Sequence, residues 1–181
     1  MTYKTEQERI QAFIDEASKY STLSITEEGI NWLLEKGFFN KPAAIKHHGN
    51  YTGGLFDHSL VVAQSLGTMT KAFNLKWQAE RSPFVVGMFH DLCKLDDYIK
   101  PNNTGDWAYN NDKILAGHGD KSIMLLSQLL TLTEEEILCI RFHMGAYQTD
   151  DWTAYDKAIR KYETVLWTHT ADMYASKVLN K

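Results

Sequence analysis

The sequence predicts an all-α protein that folds as a single domain of 181 residues. Apolar residues recur at helical spacing along most of the chain. Hydrophobic residues make up 44% and charged residues 23%, values close to globular averages that exclude a disordered or low-complexity protein. Only three prolines occur, and no linker rich in proline, serine or glycine divides the chain, so we expect one packed unit.

Two short helices and one long helix are predicted in the first part of the chain. Apolar residues at positions i, i+3, i+4 and i+7 predict a helix over 10–17. A shorter apolar group predicts a second helix at 30–34. A long helix is expected from Leu55 to Leu66, directly after the glycine pair at positions 53 and 54.

Capping signals predict helices further along the chain. Ser82 stands before a proline, which predicts a serine-capped helix over 84–95 with proline in its first position. Thr133 and Glu136 form a capping box and predict a helix over 134–144. Two further helices are predicted, over 153–161 and 163–177.

The segment 98–111 differs from the rest of the chain. It contains four asparagines together with Pro101, Gly105, Asp106 and Trp107, which predicts a long loop with at most one short hairpin. A loop of this length in a compact domain is often a functional lid. A solvated excursion held down by Trp107 is the alternative.

Net charge and hydropathy limit the classes of partner that the protein is expected to bind. The net charge is −4 and no run of lysine and arginine occurs, whereas tight nucleic-acid binding usually requires a basic excess. The polar N-terminus is not a signal peptide, and the apolar runs fall short of the ~20 residues that span a bilayer. We therefore expect a cytoplasmic protein that does not bind membranes and does not bind nucleic acid tightly.

The ligand-forming residues are mainly histidines and carboxylates. Seven histidines stand against two cysteines, Cys93 and Cys139, which form no CxxC pair and exclude a zinc ribbon or a disulfide scaffold. His90 and Asp91 lie between apolar residues, and burial of an unpaired aspartate is costly. The pair therefore needs a cation or a dense hydrogen-bond network, and a capped helix end with a His–Asp hydrogen bond remains the alternative.

The order of His58, His90-Asp91 and Asp172 resembles the signature of the HD-domain superfamily of metal-dependent phosphohydrolases. The stretch Gly-Gly-Leu-Phe-Asp-His-Ser at 53–59 is similar to the glycine-rich entry of that family, with aspartate where glutamate is frequent. The stretch His-Asp-Leu-Cys-Lys at 90–94 is similar to its HD-x-x-K motif, with cysteine where glycine is common.

The resemblance implies an HD-type helical bundle. It covers roughly residues 45–177, which would form a metal-binding core, with residues 1–44 as a helical extension packed on it. It also implies one divalent cation held by four side chains: His58, His90, Asp91 and Asp172.

Two further histidines match the order found in HD subgroups that bind two metals. His118 and His143 would complete the second site, with Asp91 shared between the two ions. Nitrogen and oxygen donors suit Mn, Fe, Co, Ni or Zn without naming one, and two dications would leave a net positive charge that attracts phosphate. The alternative is that His118 caps a helix and His143 interacts with a helix dipole.

The implied function is a metal-dependent phosphohydrolase that attacks a nucleotide or another small phosphoester through a metal-activated water. Asp91 and Lys94 would be catalytic, with Lys94 holding a phosphate oxygen. His48, Lys121 and His169 are candidates for substrate contact or for support of the ligands, although a loop histidine, a solvated lysine and a core histidine are ordinary alternatives.

Three other functions remain open at this point. Some HD proteins with a similar set of six ligands are di-iron oxygenases. Others are 3′–5′ exonucleases of single-stranded RNA or DNA, although those usually carry an additional binding domain that this chain is too short to hold. A non-catalytic binding module with a structural metal is the last.

Overall fold

A computed structural model describes residues 3–46, 49–101, 105–145 and 151–181. It confirms the all-α class, because the only sheet among these residues is a hairpin of two short strands. The elements, in chain order, are α1 (Glu6–Ala17), α2 (Glu27–Glu35), α3 (Gly54–Phe73), α4 (Ser82–Phe89), α5 (Lys94–Asp97), β1 (Tyr98–Ile99), β2 (Ala108–Tyr109), α6 (Gly119–Leu126), α7 (Glu134–Arg141), α8 (Trp152–Lys161), α9 (Thr164–Met173) and a π-helix (Tyr174–Val178).

Capping confirms one prediction and corrects another. Thr133 and Glu136 form the predicted capping box at the start of α7. Ser82 is not the cap of α4, because it already lies inside the helix after Arg81. Its hydroxyl instead donates to Glu136 Oε1 over 3.0 Å, so the same glutamate fixes the starts of two neighbouring helices.

Helix α3 is the centre of the bundle. It packs against α4, α9 and the π-helix, while α7 packs against α4, α6 and α9. Helices α3 and α4 approach closely at Gly87, where an added Cβ would lie 2.4 Å from Ala63 Cα. Glycine is therefore required at this crossing, which lies one helical turn before His90.

The N-terminal helices share the interior of the ligand-bearing helices. The Phe13 ring of α1 lies 5.8 Å from the rings of both Phe39 and Phe84, measured between centroids. The buried Arg9 donates hydrogen bonds to the carbonyl oxygens of Phe39 and Tyr3. Residues of the predicted extension and of the predicted core thus form one apolar cluster.

Two predicted helices end earlier than expected. Helix α4 stops at Phe89 rather than continuing to residue 95. The following turn is closed by tighter bonds, from Leu92 N–H to Phe89 O and from Lys94 N–H to Asp91 O. Helix α7 likewise stops at Arg141 rather than at residue 144.

The segment 98–111 contains the expected short hairpin. Strands β1 and β2 are antiparallel and pair Tyr98 with Tyr109. The ammonium group of Lys41 holds the first strand by donating to the carbonyl oxygens of Leu95 and Tyr98. Across the described residues, no helix combines the length and the apolar character needed to cross a membrane.

We expect Gly87→Ala to destabilise the protein by about 1–3 kcal/mol, because the new methyl group would force α3 and α4 apart. The matched control is Gly67→Ala on α3, where an added Cβ has no neighbour within 4 Å. That change should be neutral or stabilising by about 0.5–1 kcal/mol, since alanine is the better helix former. Urea unfolding monitored by circular dichroism measures both, and equal stability of the two variants would contradict the tight crossing.

Candidate metal centre

Six predicted ligand residues meet at one place although they come from five segments. His58 lies on α3, His90 and Asp91 follow the end of α4, and His118 directly precedes α6 without a capping hydrogen bond from its side chain. His143 follows the end of α7, and Asp172 lies on α9. Five of the six are buried, and His118 keeps a side-chain exposure of 13%.

One group of donors is formed by His58, His90 and Asp172. The Nε2 atom of His58 lies 3.2 Å from His90 Nε2 and 3.2 Å from Asp172 Oδ1. The distance from His90 Nε2 to Asp172 Oδ1 is 3.9 Å. Two nitrogens and one carboxylate oxygen thus lie close enough together to bind one cation.

The Asp91 carboxylate connects this group to a second one. Its Oδ2 atom lies 3.8 Å from His90 Nε2 and 4.0 Å from His58 Nε2. Its Oδ1 atom lies 2.6 Å from His118 Nε2 and 3.6 Å from His143 Nε2. The two oxygens of one side chain therefore face two different pairs of imidazoles.

Backbone carbonyls orient three of the imidazoles. Nδ1 of His90 donates to Gly87 O over 2.9 Å, and Nδ1 of His143 donates to Ile140 O over 2.7 Å. Nδ1 of His58 lies 3.0 Å from the carbonyl oxygen of Lys181. A carbonyl can only accept, so the proton sits on Nδ1 and a neutral ring turns the lone pair of Nε2 into the cluster.

Two buried atoms of the cluster lack a hydrogen bond. Although Asp91 Oδ1 lies 2.6 Å from His118 Nε2, neither it nor His143 Nε2 has a partner with hydrogen-bond geometry among the described residues. Buried polar atoms are normally satisfied, and a carboxylate oxygen and an imidazole nitrogen are both ordinary metal ligands. These donors fit a divalent cation, so the buried group could hold a metal ion.

The pKa values follow from burial and from the two carboxylates. Burial lowers the pKa of His90 to about 4. Burial alone would also lower the pKa of His58 and His143, but Asp172 raises the former and Asp91 the latter above the ordinary value. Burial would raise the pKa of Asp172. The hydrogen bond with His58 and the neighbouring imidazoles outweigh burial and hold this pKa below its usual range.

No sequence motif predicts a ligand role for Cys93. Its buried Sγ atom lies 3.2 Å from His118 Nδ1, and it forms a third potential donor group with Asp91 and His118. Burial raises the pKa of its thiol, so Cys93 is uncharged in the metal-free protein. The one indication in the sequence that Cys93 lies near the ligands is its position three residues after His90. A single helical turn brings residues at this spacing to the same side.

A cavity of about 370 Å³ opens onto the cluster. Its lining residues are Ala43, Ala44, Asp91, Lys94, Asp97, Tyr98, Tyr109, His118, Met144, His169, Asp172, Met173, Ser176 and Lys177. Lys94 donates to the Tyr98 hydroxyl over 3.4 Å. Burial alone would lower the pKa of Lys94, but the Asp91 carboxylate raises it, so the ammonium stays charged.

The three remaining candidates have different positions. His169 lines the cavity, and its Nδ1 donates to the His143 carbonyl oxygen over 2.8 Å, so it supports the segment that carries a ligand. Lys121 is buried, with its ammonium 2.7 Å from Asp96 Oδ2 and 3.1 Å from Asp97 Oδ1, and does not line the cavity. His48 lies outside the described residues.

No protein-family model, curated protein or solved structure matches the chain. Membership of the HD superfamily therefore remains an expectation from the sequence motifs. The distances between the donor atoms do not depend on this family assignment.

We expect metal binding to release protons and to weaken as the pH falls. The raised pKa values of His58 and His143 mean that protons compete with a cation for these nitrogens. Affinity should therefore be lower at about pH 5.5 than at about pH 7.5, where fewer of these imidazoles carry a second proton. Titration calorimetry with Mn²⁺ or Zn²⁺, repeated in buffers of different ionisation enthalpy, counts the released protons.

The matched variants for this titration are Asp91→Asn and Asp96→Asn. Loss of the central carboxylate should weaken binding by about 100-fold or more, given that changes outside the coordination sphere already cost about 10- to 100-fold. Asp96 is 40% exposed in its side chain and pairs with Lys121, so its variant should bind as the wild type does. Equal binding by all three proteins would rule out a metal at Asp91.

Proposed function

We propose that this protein is a metal-dependent phosphohydrolase acting on a nucleotide or another small phosphoester. The observation that supports the proposal most is the Asp91 carboxylate, whose two oxygens face separate imidazole pairs. Such a side chain suits a pair of divalent cations. Beside it lies a charged lysine in a cavity of suitable size for a small molecule.

Two sets of side chains would hold the ions. His58, His90 and Asp172 would bind one cation together with Asp91 Oδ2. His118 and His143 would bind the other together with Asp91 Oδ1. When bound, divalent ions supply Lewis acidity, lower the pKa of a coordinated water and neutralise charge on phosphate oxygens.

The other residues would bind and orient the substrate. Lys94 would donate to a non-bridging phosphate oxygen, and its position is fixed by burial and by its contact with Tyr98. A lysine that remains charged there stabilises negative charge that develops on the phosphate during hydrolysis. His169 would keep the His143 segment in place through its bond to the backbone.

The cavity favours a small substrate over a polymer. Tyr98 and Tyr109 of the hairpin contribute aromatic rings 5.6 Å apart, and Ala43 and Met173 contribute apolar surface. A volume of about 370 Å³ is at the lower end of small-molecule sites. With the net charge of −4, this argues against an exonuclease that follows a nucleic-acid backbone.

We expect purified protein loaded with Mn²⁺, Fe²⁺, Co²⁺, Ni²⁺ or Zn²⁺ to release phosphate or a nucleoside product from at least one member of a panel of nucleotides and small phosphoesters. Asp91→Asn should abolish this turnover. Lys94→Met should lower kcat by about 100-fold or more, the usual effect of losing a donor to a developing oxyanion. Lys157→Met, an exposed charge loss on α8, is the control and should leave the rate unchanged.

The same preparations separate the alternative functions. Oxygen consumption by the iron-loaded protein without phosphoester hydrolysis would favour a di-iron oxygenase. Degradation of labelled single-stranded RNA or DNA without action on mononucleotides would favour an exonuclease. Metal-dependent stability with no turnover of any kind would overturn the enzyme assignment.

A further inference from the structure

The helix that carries Asp172 does not continue as an α-helix. It changes at Tyr174 into a π-helix that ends at Val178, and the N–H of Leu179 donates to Tyr174 O over 3.0 Å, a bond across five residues. In a regular α-helix, residues five apart point about 140° away from each other. Here Asp172 and Lys177 line the same cavity. The wider turn therefore accounts for the presence of Lys177 beside the metal ligands.

Lys177 is the less constrained of the two lysines in this cavity. Lys94 is largely buried and donates to the Tyr98 hydroxyl. Lys177 is exposed, and its ammonium makes no hydrogen bond or ion pair with any residue of the described ranges 3–46, 49–101, 105–145 and 151–181. Short π-helical turns are rare and occur frequently at functional sites. A cation brought to the cavity by such a turn is available to an anionic ligand.

We propose that Lys177 is a second phosphate-binding residue of this site, acting together with Lys94 from a different wall of the cavity. This inference rests on the proposed function, since it assumes that the anion is the phosphate of the substrate. An exposed ammonium contributes to the capture of the anion rather than to the chemical step. Lys177 should therefore affect the binding of substrate and product more than it affects kcat.

The test uses inorganic phosphate as the probe and the metal-loaded full chain as the protein. We expect Lys177→Met to weaken phosphate binding, measured by titration calorimetry, by about 10-fold, the range for loss of a hydrogen bond to a charged group. Lys177→Arg keeps the charge and should stay within about 3-fold of the wild type. Lys157→Met removes an exposed charge away from the cavity and should bind phosphate as the wild type does.

Two further measurements identify the reason for any loss. Metal stoichiometry and thermal unfolding of each variant check that the ligand cluster is intact. With a substrate in hand, Lys177→Met should raise KM about 10-fold and change kcat by less than about 3-fold, as expected for an interaction that affects substrate binding alone. A loss confined to kcat would contradict a role in binding.

The outcomes distinguish this inference from the proposed function. Hydrolysis by the wild type together with unchanged phosphate binding in Lys177→Met overturns the role of Lys177 alone. Equal weakening in Lys177→Met and Lys157→Met also overturns it, because the effect would then be one of net charge. Absence of hydrolysis with specific, Lys177-dependent phosphate binding overturns the enzyme proposal and leaves an anion-binding site. Absence of both overturns the two together.

Discussion

The rest of the structure depends on one constraint, the burial of two carboxylates. The lone pairs of the neighbouring imidazole nitrogens point toward these carboxylates. Uncompensated charge in a protein interior costs several kcal/mol, so Asp91 and Asp172 require positive charge between them. Protons on His58 and His143 can supply it, as their raised pKa values indicate, and a divalent cation can supply it in their place. The cluster could therefore exchange these protons for a metal ion.

The helix ends meet this constraint because backbone carbonyl oxygens there fix the orientation of the imidazole rings. His90 and His143 each follow the end of a helix and each bond to a carbonyl three residues earlier. At such an end the carbonyls lack their usual partners and are available to a side chain. The break after α4 also frees the N–H of Cys93, which donates to Ser122 Oγ on α6 over 3.0 Å. One interruption thus positions a ligand and joins two helices.

The sequence motifs predicted the residues of the cluster better than the paths of the helices. The spacing of apolar residues, the capping box at Thr133 and the hairpin are local signals, and each corresponds to an observed element. The end of α4 at Phe89 is accompanied by the bond from Cys93 N–H to Ser122 on α6, which no local pattern contains. The position of Lys177 depends on a π-helix, and the pairing of Lys121 with Asp96 and Asp97 depends on how α5 meets α6.

The contact between Arg9 and the entry to α3 bears on whether the ligand-bearing part is a separable module. Gly53 has a φ of +88°, and an added Cβ there would lie 2.4 Å from the Arg9 guanidinium carbon. The turn that starts the first ligand helix is thus shaped around a side chain of α1, and Phe13 fills the interior beside it. A fragment beginning after residue 44 would keep every proposed ligand and lose part of the scaffold that holds them. Transfer of the complete site to another protein would therefore require α1 as well.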